Sequence, residues 1–152
     1  MTIISSGTIN IFANLPKLPY NRPMRIMGID YGTKKIGIAM TDPSGSMAFP
    51  HTVLPNNKQF FAEMVKIIDN HKVTEIVIGQ SLDKHGAPNA VQAGIESLIL
   101  DLTLAVGLPV HLQPEQFSTK AAERLQGKNK MTDASAAALI LESYLMKQNK
   151  RI

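Results

Sequence analysis

Residues 25–41 read RIMGIDYGTKKIGIAMT, and no other stretch constrains the fold of this chain as strongly. Two apolar runs, RIMGID and KIGIAMT, flank Tyr31-Gly32-Thr33-Lys34, which predicts two antiparallel strands closed by a tight turn. Gly32 is expected to supply the positive φ of that turn. A hairpin is not stable alone in water, so the rest of the 152 residues has to cover it.

The covering elements follow from periodicity and punctuation. Met47–Leu54 reads as a third strand, and Pro55-Asn56-Asn57 ends it. Phe60, Phe61, Met64, Val65, Ile67 and Ile68 then recur at helical spacing, giving a helix to about His71. Glu75–Gly79 is a short apolar strand and Gln80–Pro88 a loop. A long amphipathic helix with Asn89 as N-cap carries Val91, Ile95, Leu98, Ile99, Leu102 and Val106 and stops at Gly107. Pro109–Gln113 is the next strand, Ser118 caps a short helix through Leu125, and Gly127–Met131 is a basic loop. A last helix from near Thr132 buries Ala137, Ile140, Leu141, Tyr144 and Leu145. The order βββαβαβαα describes an α/β fold, a mixed sheet with helices on both faces. It occupies residues 24–152. Residues 1–23, with Pro16, Pro19 and Pro23, are expected to be a poorly ordered N-terminal extension.

Composition removes several classes of chemistry. The chain has no cysteine, which excludes disulfides, thiolate metal sites and thiol nucleophiles and fits a cytoplasmic location. Its net charge is +4, half of it from Lys17 and Arg22 in the extension, so a polyanion would have to be held by a local patch. Leu98–Leu108 is too short and too interrupted by Asp101 to span a membrane. His51, His71, His85 and His111 lack zinc spacing.

Three carboxylates are placed for catalysis. Asp30 closes an apolar strand, with glycines at 28, 32 and 37 opening the backbone around it and Thr33, Lys34 and Lys35 beside it. Taken alone it reads first as a turn-forming Asp, and its surroundings shift the reading. Glu115 follows the Pro109–Gln113 strand, ahead of Ser118 and Thr119, whose helix N-terminus favours an anion, with an exposed loop Glu as an equal alternative. Asp133 lies in the first turn of the last helix, where helix capping also accounts for it. All three stand at element ends compatible with one sheet edge. Such oxygen ligands suit two Mg²⁺ ions on a phosphodiester. Asp83, Lys84 and His85, in the loop after the Glu75–Gly79 strand, are further candidates for substrate contact, with solvated loop residues as the alternative.

The segments MRIMGIDYGTKKIGIAMTDPSG, EIVIGQSLDKHG, PVHLQPEQFSTKAAERL and MTDASAAALILESYL resemble, in order and spacing, the YqgF family, also called RuvX. The resemblance runs from residue 24 to about 146 and implies an RNase H-like nuclease. It implies an acidic triad of Asp30, Glu115 and Asp133, serving as catalytic and metal-binding residues for two Mg²⁺ or Mn²⁺ ions. Thr33, Lys34, Lys35, Ser118, Thr119, Lys120 and Arg124 would bind substrate. The implied activity is metal-dependent hydrolysis of structured nucleic acid, foremost 5′ processing of precursor 16S ribosomal RNA in ribosome biogenesis, by a monomer or weak homodimer that touches no membrane. This chain departs from the family pattern in two places. The loop V-G-L-P-x-N-M-D-G is replaced by IGQSLDKHG. The motif D-E-R-x-T-T becomes Pro114-Glu115-Gln116-Phe117-Ser118-Thr119, which loses an arginine able to grip phosphate with two hydrogen bonds.

Three other readings compete. A Holliday junction resolvase would use the same carboxylates on branched DNA. A binding module would keep the fold without catalysis. A phosphotransferase would use Asp-x-Gly-Thr as a phosphate loop, as sugar kinases and actin-like ATPases do, but needs a second domain across a nucleotide cleft.

Overall fold

A computed structural model of the chain describes residues 2–3, 9–10, 24–80, 90–114 and 132–149. The strands are β1 (Thr2–Ile3), β2 (Ile9–Asn10), β3 (Arg25–Tyr31), β4 (Lys35–Thr41), β5 (Ala48–Pro55), β6 (Val73–Gln80) and β7 (Val110–Pro114). The helices are α1 (Phe60–Asn70), α2 (Ala90–Ala105) and α3 (Thr132–Asn149). The helix expected from Ser118 to Leu125 lies outside the described residues.

β3 to β7 form a five-stranded sheet in the order β5-β4-β3-β6-β7. The β5–β4 and β4–β3 junctions are antiparallel, and the β3–β6 and β6–β7 junctions are parallel, so the sheet is mixed as expected. β5 tolerates Pro50 and Pro55 because it is an edge strand of this sheet, where a missing N–H breaks no ladder on the open side. Within the extension, β1 and β2 pair antiparallel as a separate two-residue ladder.

Strand alternation sorts the core onto two faces. Met27 and Ile29 of β3, Ile36 and Ile38 of β4 and Ile76 and Ile78 of β6 point to one face, against Met64 and Ile68 of α1 and Ile95, Leu98 and Leu102 of α2. Ile26, Ala39 and Val77 point to the other, against Ala137, Ala138, Ile140, Leu141 and Tyr144 of α3. Helices therefore cover both faces. The two layers differ in packing. α1 and α2 meet the sheet through Met64, Ile68, Ile95, Leu98 and Leu102, whereas α3 adds Ala137 and Ala138 to Ile140, Leu141 and Tyr144 and so lies closer to the strands. A β-carbon at Gly28 would be 2.9 Å from the Ala137 carbonyl oxygen and 3.1 Å from Leu141 Cβ. The space beside Gly28 thus belongs to α3, so this glycine does not open the backbone around Asp30 in the way the sequence suggested.

Gly107, with φ of +65°, ends α2 in the left-handed conformation that glycine adopts without strain. Gly32 behaves differently. Its φ is not positive, and glycine is required there because a β-carbon would sit 2.5 Å from the Lys35 carbonyl oxygen. The β3–β4 turn needs space where the sequence reading expected a left-handed backbone.

Candidate active site

Asp30 lies one residue before the end of β3, paired with Gly37 of β4. Alternation from Ile26 and Gly28 assigns it to the α3 face. α3 runs antiparallel to β3 across that face. Ile26 lines a cavity with Tyr144 and Leu145, and Gly28 abuts Ala137 and Leu141. Two strand residues advance about 6.6 Å and four helical residues about 6 Å. Because Gly28 is bracketed by Ala137 and Leu141, the level of Asp30 is bracketed by the residues one turn earlier, 133 and 137, at the N-terminal end of α3.

That end of α3 brings the positive end of the helix dipole toward the C-terminal end of β3. Ala134 is fully buried there and Ser135 is 2% exposed. On the same face, alternation along β7 places His111 and Gln113 toward the α3 side, with Gln113 paired to Gly79 and 3% exposed. Glu115 follows the last residue of β7, Pro114.

The β3–β4 turn projects from the same end of the sheet, with Thr33, Lys34 and Lys35 exposed. It is held from outside by Asn56, just past β5. The Asn56 backbone N–H donates to the Lys34 carbonyl at 2.9 Å, and its side-chain Nδ2 donates to the Gly32 carbonyl at 2.9 Å. Sequence reasoning missed this residue, because Pro55-Asn56-Asn57 reads simply as a strand terminator. On the opposite face of β3, Tyr31 packs its ring against Gly94 of α2 and edge-on to Phe60 of α1, with centroids 6.4 Å apart. The dipeptide Asp30-Tyr31 thus addresses α3 with one side chain and α2 with the next.

Asp42, at the end of β4, shows what a purely structural carboxylate looks like in this chain. It accepts hydrogen bonds from the Ser44 hydroxyl, from Met47 N–H at 2.8 Å and from Ser46 N–H at 2.9 Å. These donors hold its carboxyl well below the usual carboxylate range, the Ser44 hydroxyl contributing most. At the far end of the α3 face, Tyr144 donates to Glu75 Oε1 at 2.7 Å, and His111 Nε2 lies 2.7 Å from the same oxygen. His111 and Tyr144 stack with centroids 5.3 Å apart, tying β6, β7 and α3 together.

Of the triad, Asp30 is the member whose side chain the structure describes. Asp133 is described as part of α3 but not in its side chain, and Glu115 lies outside the described residues. Ser118, Thr119, Lys120, Arg124, Asp83, Lys84 and His85 also lie outside them.

Comparison with known proteins adds to this geometry. The family model RuvX, described as Holliday junction resolvase, matches residues 24–147. A protein of Maridesulfovibrio salexigens named "Putative pre-16S rRNA nuclease" is 36% identical over 134 residues, spanning 80% of this chain and 98% of its own length. A Rickettsia bellii protein of the same name is 33% identical over 135 residues, spanning 82% of this chain and 88% of its own. Among solved structures, Thermus thermophilus RuvC in complex with a Holliday junction superposes with a TM-score of 0.55 at 13% identity, covering 82% of this chain and 96% of that one. A Fowlpox virus resolvase complex with Holliday junction DNA gives a TM-score of 0.57 at 12% identity, covering 82% and 99%. At those identities the structural matches establish the fold, a RuvC-like, RNase H-like sheet.

Proposed function

The chain belongs to the RuvX family, and from that premise we propose that it is a divalent-metal-dependent endonuclease whose substrate is precursor 16S ribosomal RNA. What supports the reading is the packing of Gly28 against Ala137 and Leu141, from which β3 runs on to Asp30 toward the N-terminal end of α3, the helix to which Asp133 belongs. The substrate class follows the names of the relatives, which this chain matches over most of their length.

Asp30, Glu115 and Asp133 would hold Mg²⁺ or Mn²⁺, and this all-carboxylate donor set, in a chain without cysteine, fits hard cations. Bound ions would supply positive charge at the scissile phosphate and acidity to water there. The chain's own contribution is placement. Asp30 sits on a strand fixed by neighbours on both sides, which holds its carboxylate in position before substrate arrives. Lys34 and Lys35 stand exposed on the adjoining turn, where they would meet the phosphates flanking the cut. Ser118, Thr119, Lys120 and Arg124 complete the substrate-binding set in this reading.

Residues 24–152 constitute the nuclease domain, and residues 1–23 are an extension the chemistry does not use. No helix among the described residues is long and apolar enough to cross a membrane. The working form is a cytoplasmic monomer or weak homodimer. The family description favours a second reading, in which the same carboxylates cut a four-way DNA junction. One assay separates the two: the protein is incubated with Mg²⁺ and either a precursor 16S rRNA fragment or a four-way junction. Cleavage of the RNA is expected. Cleavage of the junction alone would transfer the proposal to DNA, and cleavage of neither with Mg²⁺ or Mn²⁺ would overturn it.

A further inference from the structure

We propose that Asn56 is a positioning residue for nucleic-acid binding, acting through the β3–β4 turn to present Lys34 to a phosphate of the substrate strand; the proposal rests on the nuclease reading above. The turn carries two exposed cations beside Asp30, at Lys34 and Lys35. Its carbonyls at Gly32 and Lys34 are both taken up by one outside residue, the first through the Asn56 side chain and the second through the Asn56 backbone, each at 2.9 Å. A two-point hold fixes orientation as well as distance. Asn56 is itself placed by the β4–β5 register, in which its neighbour Pro55 pairs with Lys35.

The neighbouring Asn57 is engaged elsewhere, its Oδ1 accepting a hydrogen bond from Gln59 N–H at 2.9 Å just ahead of α1. A lysine on an unrestrained turn would have to be ordered when the strand binds, and that lost entropy would be subtracted from affinity. With the turn already fixed by Asn56, only the lysine side chain remains to be ordered. Asn56 touches neither metal nor reacting atoms in this scheme, so its contribution falls on binding.

The test is a double-mutant cycle read by fluorescence anisotropy of a labelled RNA spanning the 5′ leader of precursor 16S rRNA, repeated over a salt series. Lys34→Ala should weaken binding several-fold and lower the salt slope by about 0.7–0.9, the loss of one phosphate contact. Asn56→Ala should weaken binding and lower the slope in the same direction. The double variant should bind as Lys34→Ala does, because the two changes remove one contact. Cleavage at saturating RNA should remain within about two-fold of wild type in Asn56→Ala, the whole effect lying in affinity. Should Asn56→Ala melt below the assay temperature, Asn56→Ser, too short to reach the Gly32 carbonyl, serves in its place. Unchanged affinity in the Asn56 variant, or losses that multiply in the double variant, would overturn the proposal alone. Failure of the wild-type protein to bind RNA would overturn the nucleic-acid reading and this proposal with it.

Discussion

A β-carbon on Gly94 would sit 2.5 Å from Cε1 of Tyr31 and 2.6 Å from its phenolic oxygen, so β3 and α2 meet at a point where glycine alone leaves room for the ring. Phe60 closes on the ring from the side, which limits its retreat. Gly94→Ala should therefore cost about 1–3 kcal/mol through overpacking, lowering Tm by roughly 3 °C per kcal/mol. Thermal unfolding checks this, and Tyr31→Leu supplies the control: with the ring gone, the same Gly94→Ala change should cost less than half as much. An equal loss in both backgrounds would mean that the ring is not what excludes a side chain at position 94.

Gly28→Ala tests the other layer. The added methyl would meet the Ala137 carbonyl oxygen, a backbone atom that cannot turn aside, so α3 would have to lift from the sheet. Because α3 carries Asp133, cleavage should fall more steeply than stability alone accounts for. A variant that loses about 1–3 kcal/mol but cleaves normally at a temperature where it is fully folded would separate α3 from the active site.

Acid sensitivity should come partly from the corner where β3, β5 and α1 meet. His51 is the extra residue of a β-bulge opposite Ile38 and Ala39, and its ring meets that of His71 at a centroid distance of 4.8 Å. Arg25 lies behind, with its guanidinium 3.3 Å from His71 Nδ1. Partial burial chiefly, then the charge of His71 and Arg25, holds the His51 pKa below its ordinary value of 6.5. The unfolded chain therefore takes up the proton first. The stabilisation is fully present above the unfolded pKa and is lost progressively as pH falls from there through the lower folded pKa. Denaturant melts at pH 7.5 and about pH 5 should show a smaller pH-dependent loss in His51→Leu than in wild type. Equal losses would place the acid sensitivity elsewhere.

Removal of residues 1–23 should leave the fold and its activity in place. The five-stranded sheet and its helices begin at Arg25, and Met24 N–H already bonds to the Pro43 carbonyl at 2.7 Å. A chain starting at Met24 should melt within about 3 °C of the full chain. A larger drop would show that the β1–β2 ladder stabilises the domain.

The contrast between local and distant information explains what could be read from residues alone. β3 and β4 were legible because their apolar runs are local, and α1 and α2 because Met64 and Ile68, or Ile95, Leu98 and Leu102, fall on one helical stripe. Asp30, Glu115 and Asp133 were legible as carboxylates at element ends compatible with one sheet edge, and the family resemblance gave the same three as its acidic triad. The pairing of His51 with His71 was not, since it depends on a bulge in β5 and the end of α1, twenty residues apart. The hold of Asn56 on Gly32 depends on the β4–β5 register. Gly32 was identified as indispensable for the wrong reason: the sequence marks a turn glycine, but only coordinates distinguish a needed φ from a needed space.

The central claim is that Asp30 works as a charged ligand in catalysis and not as a turn residue. Asp30→Asn preserves the side-chain shape on β3 and removes the charge. Single-turnover cleavage of a precursor 16S rRNA fragment in Mg²⁺, with RNA binding measured on the same samples, tests it most directly. Loss of an outer-shell partner of a metal typically costs 10–100-fold, so loss of a ligand charge should slow cleavage by roughly 100-fold or more. RNA binding should be retained or strengthened as a negative charge leaves the site. A folded, RNA-binding Asp30→Asn protein that cleaves within about two-fold of wild type would contradict the account, since so small a change is far below the loss expected for a metal ligand.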